Sequence, residues 1–115
     1  MGDLLVDTDV LIDHLRGATQ LRRPSGAAIN VSVVTRAELM AGPVEQVGAV
    51  RRLLGAFREI PINGAIADAA GVIRRETGIA LPDALIAATA VIAGLELQTR
   101  NRRDFERVKG LRLPG

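Results

Sequence analysis

The chain opens with a short, uninterrupted apolar run, Leu4-Leu5-Val6, that stops abruptly at Asp7. Such a run suits a parallel strand buried on both faces, and acids then gather at its carboxyl end. From Asp9 the apolar residues Val10, Leu11 and Leu15 are spaced as on a helix, among polar Asp13, His14 and Arg16, until Gly17 ends the pattern. A strand, a turn and a helix are predicted in that order.

Residues 18–28, which include Arg22-Arg23-Pro24-Ser25-Gly26, read as a loop or a frayed helix end, and the β-branched run Ile29 to Val34 reads as a second strand. Thr35-Arg36-Ala37-Glu38 matches a capping box, which predicts a helix from Thr35 to about Ala41 before Gly42-Pro43 breaks it. Residues 44–57 and 64–77 both carry helical periodicity, separated by the β-like Glu59-Ile60-Pro61-Ile62, and Gly78 ends the second. Leu81-Pro82-Asp83 opens an apolar helix over 84–93, which Gly94 closes ahead of a strand near Leu95 to Thr99. A polar loop from Arg100 to Asp104, a short helix and a last strand over Leu111 to Leu113 complete the pattern. Strands alternating with helices predict one α/β domain over residues 1–115, with a mostly parallel central sheet flanked by helices. In such sheets function gathers at the carboxyl ends of the strands.

Composition narrows the chemistry. There is no cysteine, one histidine (His14), one lysine (Lys109), no tyrosine or tryptophan, and Phe57 and Phe105 are the only aromatics. A histidine-pair ribonuclease, a Ser-His-Asp triad on a second histidine and an aromatic base-stacking platform are all hard to build from this set. His14 and Lys109 read as solvated surface. Catalysis, if present, must run on carboxylates. Net charge is only +2, but fourteen of the fifteen basic residues are arginine. That bias suits planar contacts to phosphates or to an acidic partner, and equally suits a codon preference. The start carries acids where a secretory leader has cations, and the longest apolar stretch, Ala84 to Leu95, is twelve residues against the roughly 20 a bilayer requires. A cytoplasmic protein with no membrane contact is expected.

Asp7 follows the first strand, Glu38 lies one helical turn past the second, Asp83 begins a helix and Asp104 follows the strand ending near Thr99. All four can reach one rim of the sheet. Two carboxylates about 5 Å apart repel by roughly 3 kcal/mol at an effective dielectric near 20, so four together call for compensation. Mg²⁺ or Mn²⁺ supplies it with hard-oxygen coordination, leaving positions open for phosphate oxygens, and a metal-activated water can then hydrolyse a phosphodiester without histidine. Plainer readings stand beside this one: Glu38 as the return half of the capping box, Asp83 as a dipole-compatible acid, Asp9 as a helix cap, Asp104 as solvated surface. Asp7, ending so short an apolar strand, has the least evident structural purpose.

These segments resemble the PIN-domain ribonucleases, specifically the toxin halves of VapBC-type toxin–antitoxin pairs, over nearly the whole chain. LLVDTDVLID is similar to the family's strand ending in D-T-[N/D]-V-[L/F]-[I/L]-D, and VSVVTRAELMAG to its S-x-x-[ST]-x-x-E-L-x-x-G segment. LPDALIAATAVIAGLELQTRNRRDFERVKGLRL resembles its D-x-[LM]-I-A-A-x-A helix followed by T-x-[ND]-x-[RK]-[DE]-F. The resemblance implies a divalent-metal-dependent endoribonuclease whose metal-binding acids fall on Asp7, Glu38, Asp83 and Asp104. Asn101 stands where many relatives have aspartate, implying a neutral ligand or hydrogen-bonder, Thr99 matches a site-lining hydroxyl, and Asp9 takes a supporting place. The resemblance further implies an RNA substrate, a VapB-type antitoxin whose C-terminal segment lies in a groove of the toxin, and a homodimer. The chain is short for the family between Gly17 and Ile29 and between Gly42 and Ile60.

Two other readings remain open on the residues. Asp7-Thr8-Asp9-Val10-Leu11 also matches the nucleophile loop of haloacid-dehalogenase-like phosphatases, although the only lysine, Lys109, falls after the last aspartate. A non-enzymatic module would keep the fold and contact RNA through Arg100, Arg102 and Arg103.

Overall fold

The computed structural model describes residues 3–17, 21 and 26–114. Its elements run β1 (Leu4–Val6), α1 (Thr8–Leu15), β2 (Ile29–Ser32), α2 (Val33–Met40), a 3₁₀ turn (Val44–Gln46), α3 (Val47–Leu54), β3 (Arg58–Ile60), α4 (Gly64–Thr77), α5 (Leu81–Ala93), β4 (Glu96–Gln98) and α6 (Arg102–Phe105). Most of the loop expected over 18–28 lies outside the described residues.

The four strands form a wholly parallel sheet in the order β3-β2-β1-β4. Leu4 pairs with Ile29 on one side and with Glu96 on the other, so β1 is central. Alternation along the strands divides the core: Leu5 and Leu97 face a cluster with Ile66, Ile86 and Phe105, whereas Val6, Ile29 and Val31 face Leu11, Leu39, Val50 and Leu54. Both faces are thus covered by helices, and Leu5, Val6, Val31 and Leu97 are fully buried. Gly78 and Gly94 sit at φ +76° and +71°, left-handed caps that end α4 and α5 where the sequence expects them. No helix of the described residues is long and apolar enough to cross a membrane.

Three local expectations are corrected. The second strand stops at Ser32, whose hydroxyl accepts from the Val34 N–H at 3.0 Å, so α2 begins at Val33 and not at Thr35. Val33 and Val34 are β-branched but lie beyond the last residue that β3 pairs, and the serine cap wins over propensity. Asp104 lies within the short helix α6 and not in a loop. The last strand shrinks to a single parallel bridge between Arg112 and Glu96, with the Leu97 N–H donating to the Arg112 carbonyl at 2.9 Å.

Candidate active site

The chain runs from β1 outward through β2 to β3, then returns to lay β4 on the other flank of β1. A crevice opens where the order reverses, outside the carboxyl ends of β1 and β4. Asp7 stands there. Its N–H donates to the Gln98 carbonyl at 2.9 Å, and its carboxylate accepts from the Thr8 N–H and from Thr99 Oγ1, each at 2.8 Å. It is also the N-cap of α1, a structural task that the sequence does not suggest and that falls to Asp7 in place of Asp9. Only 4% of Asp7 is exposed. Burial pushes its carboxyl from the ordinary 3.8 up to about 7; the charges of Asp9 and Asp83 add to the rise, and the two hydrogen bonds oppose it.

Because α2 starts early, Glu38 sits in its second turn, out of reach of the helix-start amides, and the capping-box reading lapses. Its Oε1 instead accepts from the Thr8 hydroxyl at 2.6 Å, and the Thr35 hydroxyl oxygen lies 2.9 Å from that of Thr8. Asp83 occupies the first turn of α5, whose N-cap, Ala80, offers no side-chain bond. A helix N-terminus favours a charged carboxylate, yet Asp83 is raised above its ordinary value by burial first and then by Glu38, Asp104 and Asp9. Burial leads that rise and the neighbouring charges add to it.

A cleft of about 240 Å³ is walled by Asp7, Asp9, Glu38, Asp83 and Asn101. Asp104 stands behind that wall: its Oδ2 accepts from Asn101 Nδ2 at 2.8 Å, and its charge acts on Asp83. The Asn101 N–H in turn donates to Thr99 Oγ1 at 3.0 Å, so the loop after β4 is tied to both Asp7 and Asp104. Arg100 reaches across to α1, with Nε 3.0 Å from Asp13 and 3.9 Å from Asp9. Asp9 keeps a buried Oδ1 with no hydrogen-bond partner among the described residues. His14 is half-buried, and among the described residues its Nδ1 has no partner, so it is not the solvated residue expected. Sequence reasoning missed Thr8 and Asp13 and gave Arg100 only as an RNA contact; the i, i+4 spacing of Asp9 and Asp13 on α1 was the available signal for an arginine clamp.

The PIN domain family model matches residues 4–111, nearly the entire chain. The chain belongs to the PIN-domain family. It is 40% identical to Ribonuclease VapC10 of Mycobacterium tuberculosis, an alignment covering 96% of this chain and 92% of the relative. A chain of a toxin–antitoxin complex from Klebsiella pneumoniae superposes with TM-score 0.79 and 34% identity over 98% of both chains. A DNA-bound VapBC from Salmonella typhimurium superposes at 0.84 with 22% identity, over 99% of this chain and 98% of that one, a likeness of fold alone. PIN membership takes in residues 7–11, so the phosphatase reading of that loop falls away. Consistently, Lys109 lines a separate apolar groove with Val72 and Val91, not the acidic cleft.

Proposed function

We propose that this protein is the toxin of a type II toxin–antitoxin pair and a divalent-metal-dependent endoribonuclease, a single PIN nuclease domain acting in the cytoplasm. The observation that carries the reading is the group of carboxylates at the β1/β4 crevice, with Asp7 and Asp83 both held above their ordinary pKa. Burying carboxylates beside one another costs the fold stability, and a bound cation offsets that cost. Kinship with a ribonuclease at 40% identity supports the substrate class. It also disfavours the non-enzymatic module.

The donor set fits Mg²⁺ or Mn²⁺: hard carboxylate oxygens with no thiolate or imidazole on the cleft wall. Among the described residues no three such side chains are drawn tightly enough together to form a ready cation cage. That suits an ion held by one or two carboxylates and its own waters. Of Asp7, Glu38 and Asp83 on the cleft wall, one or two would hold it directly and the rest through its waters, with Asp104 acting through Asn101 and Asp9 adding negative charge. When bound, such a cation supplies Lewis-acid charge that activates water and stabilises the leaving oxygen of a phosphodiester. The chain's own part is orientation: the Thr8 N–H and Thr99 hydroxyl fix both oxygens of Asp7, and Asn101 fixes Asp104.

A second cleft of about 140 Å³, lined by Ile12, Leu15, Leu39, Pro43 and Val50 and bordered by Glu38, opens beside the acidic site. It supports an antitoxin partner whose apolar segment lies there, and a homodimer belongs to the same reading. The test is cleavage of a labelled total RNA pool by purified protein with Mg²⁺ or Mn²⁺, with EDTA, and with Asp7→Ala. Cutting that needs metal and is lost in the variant is the expected result; RNA binding without cutting under either metal would overturn the proposal.

A further inference from the structure

Thr8 touches two of the proposed cation-holding carboxylates at once, its main-chain N–H on Asp7 Oδ1 at 2.8 Å and its hydroxyl on Glu38 Oε1 at 2.6 Å. We infer that Thr8 is a positioning residue that sets the spacing of Asp7 and Glu38, with Thr35 keeping the Thr8 proton directed at the Glu38 carboxylate on the cleft wall. The inference rests on the ribonuclease reading of the site.

Glu38 is exposed on the surface of α2, where a long flexible side chain has many rotamers. Among the described residues the Thr8 hydroxyl is the donor that holds it, and at 2.6 Å to a carboxylate this is a charge-assisted bond. A hydroxyl has one proton and two acceptor sites. The nearer, charged acceptor takes the Thr8 proton, so the 2.9 Å contact with Thr35 is completed by the Thr35 proton, giving the order Thr35 to Thr8 to Glu38. Thr35 is fully buried and Thr8 is 7% exposed, which keeps water from competing for either hydroxyl. Neither hydroxyl caps a helix, since Asp7 caps α1 and Ser32 caps α2. Thr8 is itself fixed, because the Asp7 that precedes it pairs with Gln98 of β4.

The test compares Thr8→Val, Thr8→Ala, Thr8→Ser, Thr35→Val, Glu38→Gln and the double Thr8→Val/Glu38→Gln variant of the full chain. Mn²⁺ binding is read by electron paramagnetic resonance, cleavage of labelled RNA is followed against Mn²⁺ concentration, and circular dichroism checks folding. Loss of an orienting partner typically weakens metal affinity about 10- to 100-fold, the range expected for Thr8→Val and Thr8→Ala, with Thr35→Val between them and wild type. Thr8→Ser should restore binding to within about twofold, and the double variant should bind no more weakly than Glu38→Gln alone, as coupled sites do. If Thr8→Val does not fold, Thr8→Ala and Thr35→Val decide. Wild-type Mn²⁺ affinity in folded Thr8 variants while Glu38→Gln binds weakly would overturn this inference and leave the ribonuclease reading standing. A wild-type protein that neither binds Mn²⁺ nor cuts RNA would overturn both.

Discussion

Replacing Asp7 with asparagine should stabilise the metal-free protein, and by an amount that depends on pH. In the fold the Asp7 carboxyl is pushed up to about 7 from 3.8. Between those values the folded chain binds more protons than the unfolded chain, so stability falls as pH rises from about 4 to about 7 and is level above. At about 1.36 kcal/mol per pH unit the full penalty above pH 7 is about 4 kcal/mol, against about 1.6 kcal/mol at pH 5. Asparagine cannot accept at both positions. It can take the Thr8 N–H on its oxygen and donate its amide to Thr99 Oγ1, losing about 1 kcal/mol of hydrogen bonding. The expected net gain at pH 8 in EDTA is about 3 kcal/mol, or about 10 °C in Tm for a domain of this size, and it should nearly vanish at pH 5. With saturating Mn²⁺ the order should reverse, since only the wild type gains binding energy from the ion through Asp7. Thermal unfolding of both proteins at pH 5 and 8, with EDTA and with Mn²⁺, supplies all four comparisons. An Asp7→Asn protein that is no more stable at pH 8, or equally more stable at both pH values, would refute the argument that burial and acidic neighbours strain this carboxylate.

The same titration predicts competition between protons and metal: half-saturation of cleavage should need about tenfold more Mn²⁺ at pH 6 than at pH 8, and a flat profile would remove Asp7 from the binding step. Arg100→Ala strips the partner from buried Asp13, but the arginine is 61% exposed, so screening limits the loss to about 1 kcal/mol, a few degrees in Tm that added salt should shrink. Phe105→Ala empties a core position only 1% exposed and should cost about 3–5 kcal/mol by urea unfolding, enough to threaten folding of so small a domain.

The order of strands and helices was legible because its signals are local. Three unbroken apolar residues before Asp7, the glycines after α4 and α5, and Leu81-Pro82-Asp83 at the start of α5 each mark a boundary through backbone chemistry that tertiary contacts reinforce. The start of α2 was not legible, since Val33 and Val34 carry strand propensity and Thr35 with Glu38 imitates a cap. What decided it is a partner distant in sequence: β2 ends with the last residue that β3 can pair, and Ser32 then caps the helix that follows.

That three-residue displacement of the cap also decides how the site can work. Had α2 begun at Thr35, the Glu38 carboxylate would fold back onto its own helix start and Thr35 would spend its hydroxyl on a main-chain amide. With the cap moved to Ser32, Thr35 becomes an interior helical residue facing α1, and Glu38 moves a turn onward to the cleft, where the hydroxyl following Asp7 meets it. Motif spacing could place Asp7, Glu38 and Asp83 on one rim because each follows a recognisable element boundary. It could not supply Thr8, Arg100 or the retreat of Asp104 behind Asn101, because these depend on how α1 lies against α2 and against the loop after β4. The acids of the proposed cation site can be read from local sequence; the groups that hold those acids apart arise from tertiary packing, and here they rest mainly on uncharged hydroxyls and one asparagine.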